Sequence, residues 1–483
     1  MTHRRVAYLH SNALIAAGDC LPANEGRASL VHDLISSLAL LDDGEPADDA
    51  QVDAPRATIV EPRVATRAEL TRFHDTKYID ALLGKDDASD ESNSREDSDA
   101  SSSSDEPTPT FGLSRSSSSS QPPRKRHKPS SSGDLGLQDD CPLFPSLAAY
   151  TTLVAGASMT AARLLRDREA DVAVSWNGGR HHGKRGEASG FCYVNDIVLA
   201  IMELRTAPKP PRPPPSPSPP PNLDPAASPP PAPPAPPPLK RLNRILYVDL
   251  DLHHGDGVES AFFSTPSVLT LSLHLHAPLF FPSSGALDST GPLNPKAPGA
   301  GHALNVTLEP GAGEETLERV WASCVEEVRA VYQPDAVVLQ CGVDGLAGDP
   351  CKEWNLSLSS LGACVARALD WGLPTLLLGG GGYNHPNAAR AWAYLTSIAL
   401  SRPLPLSTPI PPALPPPSYA LFAPSFTLDV PASPGPRDRN TPESLRVVER
   451  VVGGVVERLG EKYGTREKAT KKEKKKVSWA LEL

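Results

Sequence analysis

The sequence predicts an α/β fold, with a central parallel β-sheet flanked by helices and interrupted by disordered inserts. Three observations predict it. Short apolar runs alternate with helical stretches from residue 140 onward, the pattern of strands crossing over through helices. The run RILYVDLDL (244–252) is apolar almost throughout, as a strand covered on both faces must be. Two long segments rich in serine or proline lose apolar periodicity altogether.

Taken in order, VAYLHS reads as a strand, RASLVHDLISSLALL as a helix and RAELTRFHDTKYIDALL as another helix. Residues 85–138 hold an acidic serine run followed by SSSSSQPPRKRHKPSSS, a composition unable to offset chain entropy by burial, and order is expected to return at Asp140. A helix over 146–166, the strand DVAVSW (171–176) and the helix FCYVNDIVLAIMEL follow. Residues 207–239 are mostly proline, a stiff insert. Further strands are VLTLSLH (268–274), DAVVLQCG (335–342) and PTLLLGGGG (374–382), with helices near 314–332, 358–372 and 386–400. Residues 403–440 are again proline-rich. SLRVVERVVGGVVERLGEKYG then has helical spacing broken by Gly453 and Gly454, ahead of a basic tail.

Composition narrows the function. The 483 residues carry a net charge of −10, which argues against general or sequence-specific DNA binding. The seven cysteines form no CxxC pair, so neither a disulfide framework nor a cysteine zinc finger is expected, and reduced thiols fit an intracellular protein. No apolar run reaches the roughly 18 residues of a membrane span, and the N-terminus lacks a secretory apolar core.

The sharpest motif is Asp249-Leu-Asp251-Leu-His253-His254-Gly-Asp256, directly after an apolar strand. In parallel sheets, ligands sit beyond the carboxyl ends of strands. Alternation puts Asp249, Asp251 and His253 on one side, where they repel or stay unpaired without a cation. A second strand, LQCGVD, ends in Asp344. Two carboxylates and one imidazole leave a coordination position open on zinc. The glycine loop Gly178–Gly183 presents His181 and His182, with Asp249 and Asp256 as candidates to orient their rings. GGGG (379–382) precedes Tyr383, whose hydroxyl is suited to an oxyanion. Singly these are common; together, four strands end in chemically useful side chains.

These motifs, with GGRHHGKRGEASGFCYVNDIVLAI, ILYVDLDLHHGDGVESAFF, FFPSSG, LQCGVDGLAGDP and GGGGYN, resemble the class I histone deacetylases, most closely the histone deacetylase 8 branch and its fungal relatives. The resemblance implies an arginase/deacetylase-like fold and hydrolysis of N6-acetyl-lysine in histones or other proteins. It also implies one zinc ion, with iron(II) as an alternative in the cell, and structural potassium. By position it assigns Asp251, His253 and Asp344 as metal ligands, and His182 with Asp256 as general base. His181 with Asp249 becomes the second histidine, and Tyr383 polarises the carbonyl. Gly190, Phe191 and Phe281 become tunnel walls and Asp140 a rim carboxylate. Arg27 falls in an acetate-exit region. Asp249, Asp251, His253, Ser272 and Leu273 match one monovalent-cation site, and Phe262, Thr265 and Val268 a second. Asn177, Arg180, Cys351 and His302 depart from the family pattern. The resemblance implies a nuclear protein, with cytoplasm as an alternative, acting in chromatin and transcription regulation, and a corepressor complex as a partner.

One deacetylase domain is thus expected over 1–84, 140–205 and 241–402. It is joined by an acidic insert (85–139), a proline-rich insert (206–240), a proline-rich segment (403–440) and a C-terminal helix and tail (441–483). Arg124–Lys128 is a candidate nuclear localisation signal. The acidic insert, ending at Asp140, is expected either to steer basic substrates or to act as a solvated phosphoacceptor segment. The proline-rich insert is expected to enter from the sheet edge opposite the site. Two rival functions fit part of the pattern: a catalytically dead reader of acetylated tails, and a related hydrolase of acetylated polyamines or a two-manganese ureohydrolase.

Overall fold

The computed structural model describes residues 3–42, 54–84, 135–209 and 239–465. The acidic serine run, Arg124–Lys128, most of the proline-rich insert and the KKEKKK tail lie outside these residues. Among the described residues the strands are β1 (Val6–Leu9), β2 (Leu41–Asp42), β3 (Ala57–Val60), β4 (Val172–Ser175), β5 (Ile245–Asp249), β6 (Val268–Leu275), β7 (Ala303–Leu308), β8 (Ala336–Gln340) and β9 (Thr375–Leu378). They form one sheet in the order β2-β3-β1-β4-β9-β8-β5-β6-β7, and every neighbouring pair is parallel.

Side-chain alternation divides the core between the two faces. On β5, Leu246 and Val248 join one buried cluster while Ile245 and Tyr247 join the other. The first face is covered by helices Arg27–Ser37, Leu358–Asp370 and His385–Ala399. The second is covered by Leu147–Arg166 and Asp196–Leu204. Both faces being apolar explains why β5, β6 and β8 are buried along their whole length.

Several elements differ from the sequence expectation. RAELTRFHDTKYIDALL is two helices, Arg67–Leu70 and Thr76–Leu82. Between them the chain turns His74 inward: its Nε2 accepts the Asn195 N–H at 3.0 Å, and its Nδ1 lies 3.2 Å from the Arg185 carbonyl. The helix expected from Phe191 begins at Asp196, capped by the Asn195 side chain. Gly190 and Phe191 instead take positive φ values of 52° and 62°. Ahead of Asp140, Leu135 and Leu137 already pack on the second core cluster. The helix over 314–332 contains a π-helical stretch, Trp321–Val325. β2, β3 and β7 had no counterpart in the sequence reading. The proline-rich segment contributes Ile410, Leu414, Phe422, Leu428 and Val430 to the first cluster. Flanking the other proline-rich insert, the Lys209 N–H bonds Asp167 and the Asn243 and Arg244 N–H groups bond Asp335. Both flanks therefore sit at the amino edge of the strands.

Gly453 and Gly454 do not interrupt the C-terminal helix, which runs Pro442–Tyr463 and docks through Leu445, Val448, Val452, Val455 and Leu459. That spacing is one stripe of a 3.6-residue period. Leu459→Ala should lower stability by about 2–4 kcal/mol, read from the urea midpoint. Nothing lies within 4 Å of where a Gly453 side chain would begin. Gly453→Ala should therefore raise stability by about 0.5–1 kcal/mol in the same measurement.

Candidate active site

Four adjacent strands, β4, β9, β8 and β5, deliver their following loops to one sheet edge. The loops carry Gly178–Gly183, Gly379–Tyr383, Gly342–Asp344 and Leu250–Asp256 respectively. Parallel pairing makes this convergence unavoidable, since all carboxyl ends face the same way.

At the centre, His253 Nδ1 lies 2.9 Å from Asp344 Oδ2 and 3.3 Å from Asp251 Oδ1. Each carboxylate has its other oxygen fixed. Asp251 Oδ2 accepts from Gln340 Nε2 at 2.9 Å and from the Gly381 N–H at 2.8 Å. Asp344 Oδ1 accepts from the Leu252 N–H at 2.9 Å. Burial and the neighbouring Asp251 push Asp344 up to about 7, while His253 between the carboxylates rises to about 10 despite its burial. The two acids thus resist being ionised together unless a cation joins them. Tetrahedral ligands about 2.0 Å from an ion sit about 3.3 Å apart, so the donor set and spacing fit a divalent metal. The thiol of Cys351 belongs to the same group, its sulfur lying within 4.8 Å of donor atoms on His253 and Asp344.

His181 and His182 lie in contact beside these donors, ring centroids 3.9 Å apart and planes tilted by 48°. His182 donates from Nδ1 to Asp256 Oδ1 at 2.8 Å, and Lys184 also bonds Asp256. Burial, then the adjacent His181, lower His182 to about 3, so its ring is neutral. His181 donates to Asp249 Oδ2 at 2.9 Å and lies 3.8 Å from Asp251. Against the effect of burial, those two carboxylates raise it to about 9.

A pocket beside the donors is lined by His181, His182, Gly190, Phe191, Asp251 and Tyr383. Phe281 packs edge-on to His182 at 4.8 Å and Phe191 edge-on to Tyr383 at 5.8 Å. A Cβ at Gly190 would lie 2.6 Å from the His182 ring and 2.8 Å from Phe281, so glycine keeps the channel open. Burial and the Asp344 and Asp251 carboxylates hold the Tyr383 hydroxyl well above its ordinary pKa, leaving it an O–H donor. Asp140 is partly exposed beside Cys141 and Tyr193 on the loop before Leu147–Arg166 and is not part of the pocket wall. Arg27 is buried in a deeper cavity and donates to the Gly382 carbonyl at 2.8 Å. Ser272 pairs in register with Asp249, and its hydroxyl meets His274 Nδ1 at 3.0 Å; Leu273 follows it on β6. Phe262 and Thr265 close a turn leading to Val268. Nearby, His302 meets the Tyr463 hydroxyl of the C-terminal helix at 2.7 Å.

Sequence reasoning missed the residues that fix the site from behind. Tyr247 donates to Asp249 Oδ2 at 2.5 Å. Gln340 holds Asp251, and Asp349 accepts the Tyr383 N–H at 2.8 Å. Asp196 accepts from the N–H groups of Gly179 and Arg180, shaping the histidine loop. Phe280 stacks on His253 at 5.0 Å. The available signal for Tyr247 was its place two residues before Asp249, on the same strand face.

A histone deacetylase domain model matches residues 21–212 and 238–399. Histone deacetylase 8 of Danio rerio is 35% identical over 455 residues, covering 94% of this chain and 95% of that protein. Histone deacetylase 8 of Xenopus tropicalis is 32% identical, covering 92% and 96%. Histone deacetylase 6 of Arabidopsis thaliana is 34% identical, covering 84% and 69%. With a family match over most of its length and relatives aligned nearly end to end, the chain belongs to the histone deacetylase family and is a metal-dependent lysine deacetylase.

Proposed function

We propose that the chain hydrolyses N6-acetyl-lysine in histone tails or other acetylated proteins with one zinc ion held by Asp251, His253 and Asp344. The observation that carries this reading is the meeting of those three donors, at 2.9 and 3.3 Å, beside a neutral His182. A divalent ion there supplies Lewis-acid chemistry, acidifying water and drawing electron density from the acyl carbonyl.

The chain's own groups do the rest. His182, neutral and held at Nδ1 by Asp256, takes the water proton at Nε2 and returns a proton to the leaving lysine amine. His181, kept charged by Asp249 and Asp251, supports the developing negative charge. The Tyr383 hydroxyl donates to the oxyanion, its loop fixed by Asp349. Phe191 and Phe281 pack along the lysine methylenes, and Asp140 holds the substrate backbone at the rim. An ammonium loses hydration between such rings, so the neutral acetylated side chain enters preferentially.

Potassium bound by the backbone of Asp249, Asp251, His253 and Leu273 with the Ser272 hydroxyl belongs to the same proposal. So do the second cation site at Phe262, Thr265 and Val268, iron(II) as an alternative metal, release of acetate past Arg27, a corepressor complex and residence in the nucleus. The bipartite use of His181 and His182, each tied to its own carboxylate, favours this over a two-metal hydrolase.

An acetyl-lysine peptide should be hydrolysed by the purified chain and spared when a chelator is added; undiminished turnover in chelator would contradict the reading. Tyr383→Phe should lower kcat about 10²–10³-fold with little change in KM, measured on the same peptide. Gln340→Ala should weaken metal retention about 10–100-fold, measured by competition with a chelating dye.

A further inference from the structure

Beneath the catalytic pocket lies a cavity built around two buried guanidiniums. Arg180 lines the pocket of His182 and Tyr383, and it also lines the deeper cavity that contains Arg27, Asn24, Asn177 and Trp392. Arg27 is 3% exposed and Arg180 5%. Among the described residues neither makes an ion pair. Arg180 donates through Nε and Nη2 to one backbone carbonyl, that of Asn177, at 3.3 and 3.0 Å. Arg27 donates through Nη1 to the Gly382 carbonyl and lies over the Trp392 ring at 4.8 Å. Among the described residues three N–H groups of the two guanidiniums donate to backbone carbonyls. The Tyr150 hydroxyl, fully buried and without a hydrogen-bond partner among the described residues, sits in the field of both guanidiniums. The Asn24 side-chain oxygen, in the cavity wall, has no hydrogen-bond partner among the described residues.

Two buried cations with few acceptors favour an anion beside them, even with Asp196 in the field of Arg180 and Asp344 in that of Arg27. A guanidinium presents a fork that matches a carboxylate in two-point fashion. Acetate leaving past Arg27 is one such anion, but it arrives only after hydrolysis. An acyl chain two or three methylenes longer and ending in a carboxylate brings the charge with the substrate.

We propose that the cavity of Arg27 and Arg180 receives the distal carboxylate of an acidic acyl chain, so that the enzyme also hydrolyses succinyl- or glutaryl-lysine. The inference rests on the deacetylase reading of the pocket above it. The chemistry is the same: water adds its oxygen to the acyl carbon, the carbon–nitrogen bond breaks, the lysine amine takes the proton and the dicarboxylate leaves. Arg180 sits between the two spaces and is the residue that selects for charge.

The test is a panel of one peptide bearing acetyl-, butyryl-, pentanoyl-, succinyl- or glutaryl-lysine, offered to the full-length, metal-loaded chain. An acidic acyl chain should be turned over at about tenfold or greater kcat/KM than the neutral chain of equal length. Arg180→Met should reduce that acidic-to-neutral ratio about tenfold, and Arg180→Lys should restore part of it. As a measurement needing no variant, free glutarate should inhibit acetyl-peptide hydrolysis at about tenfold lower concentration than butyrate does. Acetyl hydrolysis with no acidic preference and equal inhibition by the two acids would overturn this inference alone. Absence of hydrolysis across the whole panel would overturn the reading beneath it as well.

Discussion

Everything at the carboxyl edge of the sheet answers to one constraint: two buried aspartates lie 3.3 and 2.9 Å from one imidazole nitrogen, that of His253. Two carboxylates in so little space repel, and burial removes the water that normally screens them. One outside oxygen of each is fixed by a backbone or amide donor, so the other is turned inward. A divalent ion held there, as proposed, would relieve the repulsion and use the inward atoms. The surrounding residues make sense as consequences. Gln340 orients Asp251, Asp349 holds the Tyr383 loop, and Tyr247 satisfies the oxygen of Asp249 that also accepts the His181 N–H.

The fold supplies the precision. β4, β9, β8 and β5 are neighbours, so residues far apart in sequence emerge side by side. Glycine occupies the places where a side chain would collide with the site. A Cβ at Gly381 or Gly342 would strike the carboxylates of Asp344 or Asp251. The two histidines are also separated in character by their surroundings. His181 is raised by the carboxylates at its two nitrogens, while His182 is lowered by burial and by His181 itself. One fold edge thereby holds an imidazolium and a neutral imidazole in contact, the division of labour that acid–base chemistry needs.

Much of this was legible because the donors come in short runs. Asp249 to Asp256 lie within one loop, and an apolar strand before them announces where the loop must emerge. Strands with both faces covered, such as β5 and β6, were legible for the same reason. What escaped was set by tertiary contacts. No local pattern reveals that His74 must turn inward to accept the Asn195 N–H, which splits an apparently continuous helix. Nor does sequence show that Gly453 and Gly454 can sit in a helix once five apolar side chains anchor it. The strand β2, at two residues, is too short for periodicity to speak. Arg180 is the clearest case: the sequence marks it only as a departure from the family pattern, and the fold shows that it shares a cavity with Arg27.

The central claim is that a single divalent ion sits among Asp251, His253 and Asp344. The most direct measurement is anomalous diffraction at the zinc absorption edge from crystals of the full chain. The account predicts one peak per chain, about 2.0–2.2 Å from the inward oxygens of both aspartates and from His253 Nδ1. Two peaks, or a single peak bound elsewhere with these three side chains left to one another, would contradict it.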